Sequence, residues 1–184
     1  MNCLGLLLVL MMQAPKPAPP PGMPVTPGVY FRQGDAQWIK LEPASMADMK
    51  SKGMEQFMDT YGYFNLDLTV TYTGAQAAAQ IPVPRPVFYV RGVGSSKEAM
   101  IVQLTRKKDS RTIRTSSSAA TTENKGGFKK QEIQNVTVTV YSDESFSVAP
   151  EDDLKPGEYL LVFGYANAGF DFGISRTKGK GHWN

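Results

Sequence analysis

Residues 154–164 read LKPGEYLLVFG, a Pro-Gly turn that leads directly into a strand of aromatic and aliphatic residues. Residues 27–31, PGVYF, show the same pattern near the other end of the chain. Apolar and polar residues alternate around short turns over 29–41 and 100–115, which predicts two β-hairpins. The 13 prolines and 17 glycines favour many turns over long helices. We therefore predict an all-β fold, an Ig-like β-sandwich of two antiparallel sheets.

One stretch departs from this pattern. Ser45 with Asp48 three residues later resembles a helix capping box, and apolar residues follow at helical spacing. Gly53 interrupts the stretch, so it predicts one or two helical turns rather than a continuous helix. The sequence therefore predicts one short helical insertion near residues 45–60.

The ends of the chain predict its processing and its compartment. Residues 4–12 are an apolar run typical of a secretory signal, and prolines dominate the stretch that follows. We expect a signal peptide at 1–14, a Pro-rich linker at 15–26, a β-sandwich domain at 27–175 and a basic flexible tail at 176–184. Cys3 is the sole cysteine, so a processed chain contains no disulfide and no cysteine-ligated zinc. The expected location is extracytoplasmic, either periplasmic or secreted.

Length and charge exclude several classes of protein. The chain has 184 residues, which suits one domain with its own hydrophobic core. A net charge of +3 does not indicate a nucleic-acid partner. No segment after residue 12 approaches the length of apolar sequence that a membrane helix requires, so no transmembrane span is expected in the processed chain.

Five phrases together resemble a known group of proteins. They are PGVYF at 27–31, WIKLEP at 38–43, RPVFYV at 85–90, LKPGEY at 154–159 and FDFGI at 170–174. In this order they resemble a family of exported bacterial β-sandwich domains of uncharacterised function. The resemblance implies an extracytoplasmic sandwich, and it implies no catalytic residues.

Few residues suit catalysis or metal binding. His182 is the sole histidine and lies in a Gly-Lys tail, which cannot hold an imidazole rigidly. Acidic turns at 143–144 and 151–153 offer oxygen ligands to calcium if they meet, although solvated turns are the simpler interpretation. Asp171 is expected to point away from the rings of Phe170 and Phe172, either outward or as a loop cap. We predict no cofactor, no metal site and no catalytic residue.

A basic hairpin is the strongest candidate for a binding site. Its cationic side chains are Arg106, Lys107, Lys108, Arg111 and Arg114. Such a cluster concentrates positive potential and suits an anionic polymer. The alternative is an edge hairpin that lysine and arginine protect against aggregation.

These observations predict a non-catalytic exported module of the bacterial cell envelope, with an interaction or structural role. Its expected partner is another envelope protein or an anionic surface polymer. One alternative is a binding module for an anionic polymer or glycan through the basic hairpin at 104–115. A third is a carboxylate-dependent hydrolase, the enzyme class that remains without a usable histidine or cysteine.

Overall fold

The computed structural model describes residues 15–34, 37–52, 67–116, 127–164 and 169–175. The predicted all-β class is confirmed, because strands make up nearly all of the regular structure in these ranges. The strands are β1 Gly28–Gln33, β2 Gln37–Leu41, β3 Met46–Lys52, β4 Asp67–Thr73, β5 Gln80–Ile81, β6 Phe88–Arg91, β7 Ala99–Arg106, β8 Ser110–Ser116, β9 Ile133–Gln134, β10 Val136–Val140, β11 Ser145–Pro150, β12 Gly157–Phe163 and β13 Gly169–Ile174.

The strands form two sheets. A five-stranded sheet has the order β10-β11-β6-β1-β2 and is antiparallel throughout. An eight-stranded sheet has the order β3-β4-β8-β7-β12-β13-β5, with β9 paired to β7. Its β13–β5 pair is parallel, so this sheet is mixed rather than purely antiparallel as expected. The proline-rich stretch at 82–86 joins β5 to β6 and crosses between the two sheets, since proline cannot donate to a ladder.

A first core fills the space between the sheets. Alternate residues of β1, β6 and β11 face alternate residues of β7, β12 and β13 across it. Aromatic rings form its centre, where Phe88 lies 4.6 Å from Phe172 and Tyr159 stacks on Phe172 at 5.6 Å. These three side chains are at most 1 % exposed, so a cluster of aromatic rings forms the centre of the first core.

The Pro-Gly-Glu-Tyr turn locks the start of β12. The Tyr159 hydroxyl donates a hydrogen bond of 2.7 Å to the carbonyl oxygen of Lys155, four residues upstream. This is the geometry of the tyrosine corner of Ig-like sandwiches. Burial raises the pKa of Tyr159, so the hydroxyl stays protonated and keeps this bond.

The eight-stranded sheet bends sharply between β7 and β8. β8 pairs with β7 only at Thr105 and Arg106, whereas the middle of β7 pairs with β9. Strands β3, β4 and β8 therefore separate from the sandwich as a lobe, which folds over the outer face of β7 and β12. A second core fills this space, with Leu160 and Val162 of the sandwich packed among Val70, Tyr72 and Ile113 of the lobe.

The predicted helical insertion is wrong over its first half. Met46–Lys52 is strand β3, which pairs with β4 through a bulge between Met46 and Asp48. The ladder to β4 satisfies the backbone of this segment, and such tertiary pairing overrides a weak local helix preference. Residues 53–60 lie outside the described ranges. A 3-10 turn at Lys130–Glu132 lies outside the predicted insertion.

The predicted terminal segments are described only in part. The expected signal peptide at 1–14 and the expected tail at 176–184, with His182, lie outside the described ranges. The expected linker at 15–26 lies against the domain, where Met23 is only 8 % exposed. Within the described ranges, no helix has the length and apolar character needed to cross a membrane.

The two cores allow a matched test. Leu160 and Leu161 are adjacent and fully buried, and Leu160 faces the second core whereas Leu161 faces the first. We expect Leu160→Ala and Leu161→Ala each to lower the free energy of unfolding by about 2–5 kcal/mol, because each leaves a cavity. Urea denaturation of both variants measures this. A loss below about 1 kcal/mol for Leu160→Ala alone would show that the lobe does not pack on the sandwich.

Candidate functional site: a polar cleft beside the basic hairpin

The tip of the β7–β8 hairpin is cationic and exposed. Arg106, Lys107 and Lys108 all face solvent, and the Lys107 amide donates a 2.7 Å hydrogen bond to the Ser110 carbonyl to close the turn. The hairpin is not at a sheet edge, because β8 lies between β7 and β4. Protection of an edge strand therefore does not explain its lysines and arginines.

The other two arginines of the predicted basic site lie elsewhere. Arg114 is exposed on the opposite face of β8. Burial raises the pKa of the Glu132 carboxyl group, and the charge of Arg114 partly opposes this rise. Arg111 shares the inward face of β8 with Ile113 and is only 2 % exposed. The prediction that Arg111 belongs to the exposed cluster is wrong, because its side chain points into the fold.

The buried Arg111 guanidinium contacts four groups. It forms a charge-assisted hydrogen bond to Asp171 and lies 3.9 Å from the nearer carboxylate oxygen of Glu158. Its Nε donates to the Gly74 carbonyl at 3.0 Å and one terminal nitrogen donates to the Thr73 carbonyl at 2.7 Å. These contacts join β8 and the end of β4 to strands β12 and β13. A buried arginine requires such partners, since an unpaired buried charge is strongly unfavourable.

Glu158 is held by more than the arginine. One carboxylate oxygen accepts a 2.7 Å hydrogen bond from the Ala77 amide, and the other accepts one of 3.4 Å from the Gln80 side chain. Gln80 also donates to the Ala77 carbonyl at 3.0 Å. Burial, reinforced by the negative charge of Asp171, raises the pKa of nearby Tyr72 despite the opposing charge of Arg111. The hydrogen bonds of Glu158 hold the loop between β4 and β5 against the start of β12.

The Phe-Asp-Phe-Gly phrase supplies three parts of this arrangement. Phe172 enters the first core, whereas Asp171 points away from that core and contacts Arg111. Asp171 does face away from the rings as expected, but it is only 13 % exposed at its side chain, so it is neither outward nor a loop cap. A Cβ at position 173 would lie 2.1 Å from the Gln80 side chain, so the glycine makes room for Gln80 against the strand.

A cleft of about 580 Å³ opens beside this network at the end of the eight-stranded sheet. Six of its ten lining residues are polar, namely three glutamines, one arginine, one buried glutamate and one serine, and the other four add apolar surface. The lining residues are Gln76, Gln80, Gln103, Leu104, Arg106, Pro156, Gly157, Glu158, Ile174 and Ser175. The cleft and the hairpin tip share Arg106, so a ligand in the cleft also meets the positive potential of the tip.

The acidic turns do not form a calcium site together. One turn precedes β11 and the other follows it, so a six-residue strand of roughly 20 Å separates them. Asp143 pairs with Lys16, and Asp153 pairs with Arg85. Within the described ranges, no cluster of three or more histidine, cysteine or acidic side chains has the geometry to hold a metal ion.

Most residues that line the cleft were not predicted from the sequence. Arg106 was predicted as part of a binding site, whereas Gln76, Gln80, Gln103 and Glu158 were not. The signal for Glu158 was its place in the phrase that starts β12, where alternation puts it on the face opposite Tyr159. No comparable signal exists for the glutamines, because only the packing of three separate segments brings them together.

Comparison with known proteins adds no assignment. No protein-family model, curated protein or solved structure matches this chain. The resemblance to exported bacterial domains therefore stays a prediction that rests on the sequence phrases.

The buried arginine gives a direct test of this network. We expect Arg111→Met to lower the free energy of unfolding by about 3–5 kcal/mol, because it leaves Glu158 and Asp171 buried without their cation. Arg114→Met removes the same charge from the exposed face of β8 and should change stability by no more than about 0.5 kcal/mol. Thermal and chemical denaturation compare the two variants. If both variants lost equally little unfolding free energy, Arg111 would not stabilise the contact between the lobe and the sandwich.

Proposed function

We propose that this protein is a non-catalytic, exported β-sandwich module of the bacterial cell envelope, and that it binds an anionic glycan in the cleft beside the β7–β8 hairpin. The observation that supports the proposal best is the position of Arg106, which lines the cleft and belongs to the exposed cationic tip. Export and the envelope location are inferred from the apolar N-terminal run and from the resemblance of the sequence phrases to exported bacterial domains.

The chemistry of the lining favours a hydroxylated ligand. Gln76 and Gln103 each carry an amide that can donate and accept hydrogen bonds, which suits sugar hydroxyl groups. Gln80 offers its amide oxygen as an acceptor, because its nitrogen already donates to Ala77 and Glu158. Arg106 can form a charge-assisted hydrogen bond with a carboxylate or phosphate substituent on the sugar. Lys107 and Lys108 extend the positive potential along a polymer that continues beyond the cleft.

The carboxylates support binding rather than hydrolysis. Glu158 and Asp171 both neutralise Arg111, and Glu158 also accepts hydrogen bonds from Ala77 in the β4–β5 loop and from Gln80 of β5. A glycosidase acid must exchange a proton with the leaving group, and its partner carboxylate must reach the sugar or a water. Side chains that both contact one buried guanidinium are poorly placed for either task.

Variants at the hairpin and in the cleft test the proposal. We expect the full chain to bind polygalacturonate but not neutral dextran, with an affinity that falls as salt rises. Arg106→Ala should weaken binding by about tenfold, which corresponds to the loss of one charge-assisted hydrogen bond. Gln103→Ala should weaken it by a smaller factor without changing the salt dependence. Isothermal titration calorimetry at two salt concentrations measures all three effects.

Arg114→Ala is the matched control, since it removes an exposed cation of the same hairpin outside the cleft lining. If Arg114→Ala weakened binding as much as Arg106→Ala, binding would depend on net charge rather than on the cleft. If neither polygalacturonate nor a phosphate-bearing teichoic acid bound, the glycan proposal would be wrong and an envelope protein would become the preferred partner.

A further inference from the structure

The proline-rich segment at 15–26 lies across the outer face of the five-stranded sheet. At one end, the Lys16 ammonium is 2.6 Å from the Asp143 carboxylate in the turn between β10 and β11. Further along, Gly22 lies against the indole of Trp38, because a Cβ there would be 3.7 Å from the indole nitrogen. Strands β10 and β2 are the two edges of this sheet, so the segment contacts both edges.

The face beneath this segment is aromatic. Tyr30 and Tyr89 lie directly opposite each other on β1 and β6, and the Trp38 ring meets Tyr89 edge-on at 5.0 Å. Tyr141 joins this face through a 2.9 Å hydrogen bond to Ser147 on β11. All of these side chains point away from the first core, which lies on the other side of the sheet.

The segment covers part of this aromatic face. Tyr30 is only 4 % exposed although it points outward, and its hydroxyl lies 2.7 Å from the Thr26 hydroxyl and donates to the Thr26 carbonyl at 3.0 Å. Met23 is also buried, after a turn in which its amide donates to the Pro20 carbonyl. The contacts thus include an ion pair, hydrogen bonds and buried apolar surface.

The composition of the segment matches the chemistry of the face. Residues 15–27 contain seven prolines, and such a sequence favours an extended polyproline II conformation that loses little entropy on binding. Aromatic grooves are the usual receptors for such segments. We propose that the outer face of the five-stranded sheet is a binding site for extended proline-rich peptides, and that residues 15–26 are its intramolecular ligand.

The first part of the intramolecular ligand, residues 15–19, is held weakly enough to exchange. The Lys16–Asp143 pair is exposed, with side chains 52 % and 95 % accessible, so it contributes little stability. Residues 15–19 are all exposed, and no described strand includes any of residues 15–26. When the segment leaves, the same face is free for a proline-rich peptide of another molecule. This inference does not depend on the glycan proposal, because the cleft is in the other sheet.

A peptide-binding experiment tests the proposal on the full chain. Trp183→Phe leaves Trp38 as the sole tryptophan and reporter. In that background, Lys16→Glu with Pro17→Ser, Pro19→Ser and Pro20→Ser should release the segment. We expect a synthetic peptide of residues 15–26 to change the Trp38 emission of this released variant in a saturable manner. Binding to the chain with its native segment should be at least about tenfold weaker, because the attached segment competes at high effective concentration.

Controls separate specific docking from general stickiness. A peptide with the same four substitutions should not bind the released variant. Asp143→Lys in that variant should weaken binding of the native peptide severalfold and should strengthen binding of a peptide that carries only Lys16→Glu. Equal binding of the native and proline-free peptides, or no Trp38 response to either, would overturn the proposal.

A second measurement tests the proposal even if the released variant does not fold. In the Trp183→Phe chain, Met23→Ser alone should increase quenching of Trp38 fluorescence by acrylamide, because it removes the buried side chain beside Gly22, the residue that contacts the indole. Unchanged quenching would show that the segment does not cover Trp38, and this too would overturn the proposal.

Discussion

The buried guanidinium of Arg111 is the constraint on which the rest of the site depends. A cation that is 2 % exposed must be neutralised and fully hydrogen-bonded, and no single strand provides both. Asp171 on β13 and Glu158 on β12 supply the charge, whereas the carbonyls of Thr73 and Gly74 supply acceptors at the end of β4. One side chain thus fixes the lobe of β3, β4 and β8 to the sandwich.

The cleft is a consequence of this anchoring. Because Glu158 also accepts hydrogen bonds from the Ala77 amide and from Gln80, the β4–β5 loop is held over the start of β12 and forms one wall of the cleft. Arg106 is directly opposite Arg111 in the ladder but points to solvent. Arg111 therefore stabilises the fold, whereas Arg106 of the same hairpin is exposed and lines the cleft. The aromatic face of the other sheet is a separate surface with separate chemistry.

Local patterns were sufficient to predict much of the fold and little of the site. The alternation of apolar and polar residues over 29–41 correctly predicted the first hairpin, which β1 and β2 form. The helix predicted near Ser45 was wrong because the partner strand β4, not local preference, decides the conformation of β3. Arg111 shares a face with Ile113, which was a usable signal for burial. Its partner Asp171 is 60 residues away, and no local pattern connects them.

Native-state hydrogen exchange tests most directly the claim that Arg111 joins the lobe and the sandwich into one unit. In the wild-type chain we expect the amides of β4 and β8 to exchange with the same opening free energy as those of β12. In Arg111→Met, the β4 and β8 amides should lose protection first. Wild-type β4 and β8 amides that exchange far faster than those of β12 would show that the lobe opens on its own. That result would contradict the central place given to Arg111.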